Sequence, residues 1–270
     1  QFMSLIRMRG NTFWAYGTLA GQKLMALPAT EEDFGLFDVL ILGDLDRTFL
    51  RTEQMARIRK FVNDGGGLLM TGGHNSFGPG GYGGTDLEAA LPVEMGGRDQ
   101  PQETTEFVPQ LTAAGEQHPI FEGIAGYFSG PAGRQPQADL PKLPPLLGCV
   151  TVLRAKPAAE VLALHPLRRN EDGPLVVLAV QRLGAGRAAA FTADTTWQWY
   201  RHLLALGAES PYHRFWGQII RWLANVETRR RDAMPSVVMR LDRQYAQTGQ
   251  TVRILARVQE EYRTYVQTFQ

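Results

Sequence analysis

The stretch from Gly65 to Asp86 constrains the fold of this chain more than any other. It contains a short apolar run, Leu68–Thr71, followed by a loop that is dense in glycine. Glycine adopts backbone conformations that other residues avoid, so a loop of this kind favours tight turns over helix or strand. In α/β proteins, ligands and catalytic groups collect where a strand ends and its loop begins. We therefore expect a functional site on the loop that follows Leu68–Thr71.

Two apolar segments before this loop predict a βαβ unit. The segment Phe37–Gly43 is almost entirely apolar, which is typical of a strand buried on both faces of a parallel sheet. From Thr52 onward, apolar residues recur at helical spacing, and the segment Asn63–Gly67 ends the predicted helix. The strand Leu68–Thr71 follows at once. This order predicts a βαβ unit, with a right-handed crossover between two parallel strands of an α/β domain.

The second half of this region predicts an antiparallel hairpin and a covering helix. The segments Leu175–Leu183 and Arg187–Thr192 are separated by the tight turn Gly184–Gly186. We expect this hairpin to form the edge of a mixed sheet. The segment Tyr212–Val226 carries a broad apolar stripe at helical spacing, so we expect a helix that lies on the sheet.

A domain boundary is predicted near Arg229–Pro235. Beyond it, two segments around residues 237–241 and 252–258 alternate apolar and polar residues, with a turn over Tyr245–Gln250 between them. Two strands are too few for an independent sheet. They are either the start of a β-sandwich-like module or a small β extension of the main domain. We therefore divide the chain into an α/β domain, residues 1–228, and a linker with a β module, residues 229–270.

Charge and composition exclude several classes of partner. The 28 basic and 27 acidic residues nearly cancel, so no overall field attracts nucleic acid or anionic lipid, and we predict no nucleic-acid partner. No run approaches the roughly 20 apolar residues of a membrane helix, so we expect membrane attachment only through segments outside this chain. Because the chain begins with Gln1 and not Met, we expect it to be part of a longer protein.

His74 and Ser76 are the sharpest catalytic candidates. On a tight strand-to-helix turn, either side chain could face backbone N–H groups that hold an oxyanion, as at a nucleophile elbow. The local string Gly73–Gly78 does not match G-x-S-x-G, and the alternative is that the glycines only shape the loop. Asp194 follows a predicted strand and could orient a histidine or accept a proton, or it could cap the next helix.

Residues at three predicted strand ends form a candidate ligand-binding mouth. The predicted binding residues are Asp44, Gly72, Gly73, Asn75, Thr192 and Trp197. The aromatic residues around Trp197 could wall a cleft or simply pack in the core. No histidine, cysteine or carboxylate spacing indicates a metal site, and we predict no metal and no cofactor. The loop Gly78–Gly84 could cradle a phosphate with its backbone amides, but it lacks the Lys-Ser/Thr of a P-loop.

Several of these segments together resemble a known family. The segments are Phe37–Asp44, Gly65–Tyr82, Leu91–Val93, His118–Phe121, Gly184–Trp199 and Tyr212–Leu223. Over residues 1–226 the chain resembles the glutamine amidotransferase-like domains of the class I glutamine amidotransferase superfamily, near the ThuA-like proteins. The resemblance implies a flavodoxin-like α/β fold with a doubly wound, mostly parallel sheet. It also implies a bacterial, membrane-anchored parent protein, with this domain on the periplasmic or the cytoplasmic face of the membrane.

The catalytic pattern of that family is incomplete in this chain. Active members carry a cysteine nucleophile on the elbow and a His-x-Glu pair after a late strand. The resemblance places the elbow in Gly72–Ser76, with His74 at the nucleophile position, and places Thr192 and Asp194 where the histidine and glutamate would stand. The one cysteine, Cys149, lies in a different segment.

Three functions remain open at this point, and one of them is a purely structural spacer, which predicts no ligand cleft. The first of the other two is a catalytically degenerate domain that binds a small molecule or assembles other domains of its parent protein. Its motivation is the missing cysteine and histidine, because glutamine hydrolysis needs a thiolate paired with a base. The second is a hydrolase that uses His74 or Ser76 with Asp194 on an amide or a sugar.

Overall fold

The computed structural model describes residues 2–8, 12–18, 26–225, 236–241, 254–260 and 263–269. The chain divides into two compact units, Gln1–Ala224 and Asn225–Gln270.

The first unit contains twelve strands and six α-helices in its described residues. The strands are β1 (Phe2–Arg7), β2 (Phe13–Thr18), β3 (Val39–Leu42), β4 (Gly67–Thr71), β5 (Val93–Glu94), β6 (Gln102–Glu103), β7 (Gln110–Leu111), β8 (Cys149–Val150), β9 (Arg154–Ala155), β10 (Glu160–Asn170), β11 (Gly173–Leu183) and β12 (Gly186–Phe191). The α-helices are α1 (Glu31–Gly35), α2 (Thr52–Asn63), α3 (Asp86–Ala90), α4 (Ala113–Gln117), α5 (Trp197–Ala205) and α6 (Tyr212–Ala224).

The central sheet is mixed and has six strands in the order β3-β4-β12-β11-β10-β7. Strand β4 is parallel to both β3 and β12, whereas β12–β11, β11–β10 and β10–β7 are antiparallel. The prediction of a mostly parallel sheet is therefore wrong, since three of the five pairings are antiparallel. The reason is that short connections join β10 to β11 and β11 to β12, and only antiparallel neighbours can be joined so closely.

The hairpin of β11 and β12 also lies elsewhere than predicted. The sequence predicts this hairpin at the edge of the sheet, but β10 and β7 continue the sheet beyond β11. Strand β11 is buried from Leu175 to Gln181, as expected for an interior strand. The continuous apolar run of Leu175–Val180 is typical of a strand covered on both faces.

The predicted βαβ unit is present as β3, α2 and β4. Successive side chains of a strand point to opposite faces of the sheet. Accordingly, Leu68 and Met70 of β4 pack in the layer that contains α2, whereas Leu69 packs in the layer that contains α6. The molecule thus buries apolar side chains on both faces of the sheet, the layering of a mixed α/β fold.

Helix α6 covers one face of the sheet, as the sequence predicts. Phe215, Ile219 and Leu223 recur every four residues and are completely buried. This spacing places them on one side of the helix. Phe215 also contacts Phe191 of β12, with ring centroids 5.7 Å apart, so the helix is fixed directly over a central strand.

The second unit contains a three-stranded antiparallel sheet. Its strands are β13 (Ser236–Leu241), β14 (Ile254–Glu260) and β15 (Arg263–Phe269), in that order. The first two correspond to the two strands predicted from alternation, but sequence analysis missed β15. The β-branched and aromatic residues of 263–269 were the available signal. The predicted boundary Arg229–Pro235 and turn Tyr245–Gln250 lie outside the described residues.

Candidate functional site

Gly72 and Gly73 bring the loop after β4 against two neighbouring strand ends. The Gly72 N–H donates to the Ala193 carbonyl at 3.2 Å. A Cβ atom at Gly72 would lie 2.1 Å from the Thr192 carbonyl oxygen, and one at Gly73 would lie 2.7 Å from the Asp44 side chain. Gly73 also has a positive φ of 150°. Only glycine allows the backbone to approach this closely.

Asp44 holds the turn in place. It follows β3, and its Oδ1 accepts the N–H of Asn75 at 2.5 Å. The structure therefore brings four predicted binding residues, Asp44, Gly72, Gly73 and Asn75, to one end of the parallel strands. That end is where α/β sheets place their ligands.

His74 and Ser76 differ sharply in their surroundings. His74 is exposed, whereas Ser76 is completely buried. The Ser76 hydroxyl donates to the Gly73 carbonyl at 3.0 Å, so it stabilises the loop from inside. Phe77, a non-glycine residue of this loop, adopts the left-handed backbone conformation with a φ of 51°. Its ring is fully buried. A fully buried phenyl ring, not a nucleophile, thus occupies the strained position.

Thr192, Asp194 and Trp197 follow β12 at the same end of the sheet. Thr192 is buried, and its hydroxyl donates to the Val176 carbonyl at 3.0 Å. Asp194 is exposed and forms no hydrogen bond or ion pair with any residue that the structure describes. It does not cap α5, whose N-cap residue is Thr196. Trp197 begins α5 and is 46% exposed.

The predicted catalytic residues are not joined by hydrogen bonds. In the described part of the chain, neither His74 nor Ser76 hydrogen-bonds to Asp194, and the Ser76 hydroxyl is directed to Gly73. A general base needs heavy-atom contact near 3 Å, directly or through one water, with the proton that it removes. The buried hydroxyl of Ser76 does not offer that geometry to a substrate.

Cys149 lies in the short strand β8 and not on the turn after β4. It faces Glu103 across an antiparallel bridge and is 5% exposed. The next residue, Val150, donates its N–H to the Thr192 carbonyl at 2.9 Å. Burial raises the pKa of the Cys149 thiol to about 12, although a hydrogen bond with Thr192 acts in the opposite direction. Burial therefore both disfavours the thiolate and shields the sulfur from solvent, the opposite of the environment of a reactive cysteine.

The loop Gly78–Gly84, a possible phosphate cradle from its sequence, lines a cavity whose charged residues sequence analysis missed. This open cavity of about 830 Å³ is lined by Gly78–Gly84 residues together with Glu88, Arg98 and Lys156. Arg98 pairs with Asp46 at 2.8 Å and holds the pKa of that carboxyl well below its usual range. The glycines of the loop were a sequence signal for this site. The charged residues of the cavity, such as Lys156, come from other segments of the chain, and no local motif connects them to the loop.

Two features are absent from the described residues. These residues contain no group of three or more histidine, cysteine, aspartate or glutamate residues placed to hold a metal ion. Among the same residues, the helices are all too short or too polar to cross a bilayer.

Two solved structures from Salmonella typhimurium share this fold. The cytoplasmic protein STM3548 is 18% identical, with a TM-score of 0.54, and the match covers 82% of this chain and 95% of that chain. The cytoplasmic protein STM1381, from strain LT2, is 19% identical, with a TM-score of 0.51 and the same two coverages. Identities this low establish similarity of fold alone. No curated protein sequence matches the chain significantly.

The family comparison is more direct. Residues 19–225 match the family GATase1_like, described as "Putative glutamine amidotransferase". This range contains β3, β4, β12 and α6, the elements on which the resemblance in sequence was based, and it includes the loop from Gly72 to Gly84. The match extends over most of the chain. This chain therefore belongs to the GATase1-like family of glutamine amidotransferase-like domains.

Proposed function

We propose that this protein is a catalytically degenerate glutamine amidotransferase-like domain that binds a small molecule or assembles other domains of a larger bacterial envelope protein. The observation that carries the proposal is the placement of Cys149. It is the one cysteine of the chain, it is 5% exposed, and burial raises its pKa to about 12. Glutamine hydrolysis by this family's chemistry needs an accessible thiolate with a paired base.

The turn after β4 supports the same conclusion. Its exposed side chains are His74 and Asn75, while Ser76 and Phe77 are buried. The backbone N–H of Asn75 is engaged by Asp44 at 2.5 Å. An oxyanion hole requires N–H groups that are available to the developing charge. The turn is thus built as a hydrogen-bonded structural loop that presents an imidazole and an amide to solvent.

The rival hydrolase hypothesis has weaker support. A serine hydrolase would need the Ser76 hydroxyl to be accessible, but Ser76 is completely buried and bonded to the Gly73 carbonyl at 3.0 Å. The remaining pair, His74 and Asp194, is exposed. No hydrogen bond joins these two residues within the described part of the chain. Without a partner, His74 lacks the orienting contact that a triad provides.

An exposed apolar stripe on α5 supports the assembly role. Trp197, Tyr200 and Leu204 follow each other at helical spacing and are 46%, 37% and 59% exposed. Leu206, just beyond the helix, is 65% exposed. Apolar side chains grouped on one surface are typical of contact sites for other proteins or domains. The stripe starts three residues after Asp194.

The finer description of the fold belongs to the same proposal. We regard the parallel strands β3, β4 and β12, with α2 and α6 on opposite faces, as a flavodoxin-like, doubly wound core to which β11, β10 and β7 were added. We also regard residues 229–270 as a linker and the start of a β-sandwich-like module, with membrane attachment through segments outside this chain. The three-stranded sheet of the second unit supports this division.

A glutaminase assay tests the proposal. Purified protein is incubated with glutamine, and ammonia release is followed for the wild type, His74→Ala and Cys149→Ser. We expect no release above the buffer for any of the three. Release by the wild type that is lost in either variant would overturn the proposal, because it would show that one of these side chains performs the chemistry.

A further inference from the structure

The cavity beside the glycine-rich loop contains an unusual cation. Lys156 is half-buried in the cavity wall, and its ammonium group donates to the Glu88 main-chain carbonyl. Among the described residues no carboxylate forms an ion pair with Lys156. Burial lowers the pKa of this amine. A partly desolvated cation without a paired anion favours the binding of an anion from solution.

The two carboxylates of the cavity wall are already engaged. The Glu88 carboxylate accepts the N–H groups of Gly84 and Met95, each at 2.6 Å. The Glu94 carboxylate accepts from the Arg154 guanidinium at 2.9 Å. Burial is the largest effect on the pKa of Lys156, and the charges of Glu88 and Glu94 act against it. Arg154 pairs with Glu94, whereas the N–H donors leave the charge on Glu88, so Glu88 partly offsets the attraction of Lys156 for an anion.

The glycines of the wall supply further donors. The N–H groups of Gly78, Gly83, Gly96 and Gly97 take part in none of the hydrogen bonds formed between described residues. All four glycines line the cavity. Backbone N–H groups gathered in a loop are a common means of holding phosphate or carboxylate oxygens.

Arg98 gives this wall a fixed shape. Its guanidinium donates to the Asp46 carboxylate at 2.8 Å and to the Pro79 carbonyl at 3.1 Å. These contacts tie the segment after β5 to the loop after β3 and to the glycine-rich loop. Because binding sites that are formed in advance lose less entropy on binding, this cross-link favours ligand binding in the cavity.

We propose that this cavity binds a small molecule that carries one anionic group, a phosphate monoester or a carboxylate. Lys156 supplies the charge, and the glycine N–H groups supply hydrogen bonds. The lysine that a P-loop carries in its own sequence is provided here by a segment more than seventy residues away. The volume, about 830 Å³, is within the range of small-molecule sites. The cavity lies on a different part of the loop from His74. Its proposed anion binding can therefore be tested independently of the proposed loss of glutaminase activity.

Isothermal titration of the full chain with three matched compounds tests this proposal. Glycerol 3-phosphate and glycerate carry the two candidate anionic groups on a similar hydroxylated skeleton, and glycerol carries none. We expect at least one of the two anions to bind and glycerol not to bind. The tighter of the two anions identifies the preferred group. Absence of binding by both anions at millimolar concentration, or equal binding of glycerol, would overturn the proposal.

Variants connect the binding to this cavity. Lys156→Met removes the charge but keeps an apolar stem of similar length, and we expect it to weaken anion binding at least tenfold. Lys142→Met removes an exposed lysine that does not line the cavity, and we expect no change. Equal affinity of Lys156→Met and the wild type would contradict the proposal.

A measurement on the wild type alone covers the case in which Lys156→Met does not fold. The amide NMR signals of Gly83, Gly96 and Gly97 should shift on addition of the anion that binds. Shifts confined to other parts of the chain would show that the anion binds elsewhere and would overturn the assignment of the site.

Discussion

The Cα atom of Gly72 lies against the carbonyl group of Thr192, with no space for a side chain between them. A Cβ atom at Gly72 would be 2.1 Å from the Thr192 oxygen and 2.9 Å from the Cα of Ala193. Both neighbours are backbone atoms of the segment that follows β12, so neither can move without moving the strand end. The close approach of two strand ends thus depends on the absence of a single methyl group.

We predict that Gly72→Ala destabilises the fold by about 1–3 kcal/mol or more, because overpacking against backbone cannot be relieved by a rotamer change. Chemical denaturation gives the free energy of unfolding. The matched control is Gly217→Ala in α6, where a Cβ atom would meet nothing within 4 Å. There we expect a gain of up to about 1 kcal/mol, since alanine is the better helix former. Equal stability of Gly72→Ala and the wild type would contradict the close contact.

The hydrogen bond from the Asn75 N–H to the Asp44 carboxylate predicts how substitutions of Asp44 change stability. Asp44→Ala removes the acceptor of the Asn75 N–H, and we expect a loss of about 1 kcal/mol, the usual net contribution of one hydrogen bond. Hydrogen exchange at the Asn75 amide should become faster in this variant. Asp44→Asn keeps a side-chain oxygen at the same position and should protect the amide nearly as well as the wild type. Unchanged exchange in Asp44→Ala would show that the amide is protected by other means.

The buried thiol predicts slow alkylation. Burial raises the pKa of Cys149 from its ordinary value of 9.0 to about 12, which reduces the thiolate fraction roughly a thousandfold. We expect iodoacetamide to modify the native protein at pH 8 more slowly than the urea-unfolded chain by a factor of about 100 or more. Intact-mass spectrometry measures both rates. Rapid modification of the native protein would mean that the thiol is accessible, and it would reopen the question of catalysis.

His118 predicts a loss of stability in acid. Burial lowers its pKa from 6.5 to about 4, and its Nδ1 accepts the Ile120 N–H at 3.2 Å. Because the folded-state pKa is the lower one, the unfolded chain takes up a proton first as the pH falls. The contribution of the neutral histidine is therefore complete above pH 6.5 and is lost between pH 6.5 and 4. We expect a loss of about 1–3 kcal/mol over this interval.

The variant His118→Asn checks this prediction. Asparagine can accept the Ile120 N–H without titrating, so the free energy of unfolding should fall less steeply between pH 6.5 and 4 than in the wild type. His202→Asn, at an exposed histidine, serves as the control and should follow the wild-type curve. If His118→Asn also followed the wild-type curve, another group would be responsible for the acid sensitivity.

Local patterns were sufficient for several elements and for the position of the turn. The apolar run around Val39–Leu42, the spacing of Met55, Ile58 and Val62 in α2, and the stripe of α6 are each visible within about a dozen residues. Each reflects the period of one strand or helix, so the chain segment alone carries the information. The same holds for the glycines after β4, which mark the close approach of the loop to its neighbours.

Local sequence patterns did not predict which distant segments contact each other. Ser76 and His74 are two residues apart and equally polar, yet one is buried and the other exposed. Which of them faces the core depends on the path of the loop over Phe77, and that path is set by packing against other elements. The antiparallel order of β11, β10 and β7 has a similar cause, since the strand partners are chosen across the sheet and not along the chain.

By itself the sequence determined that the chain forms an α/β domain, that a glycine-rich turn follows a buried strand, and that no cysteine lies on that turn. These are properties of short segments, governed by side-chain period and backbone freedom. Only the tertiary structure decided that Cys149 is enclosed beside Thr192 and that Lys156 joins the glycine-rich loop at one cavity. Both depend on which remote surfaces pack together, because burial and electrostatic environment are properties of the assembled core.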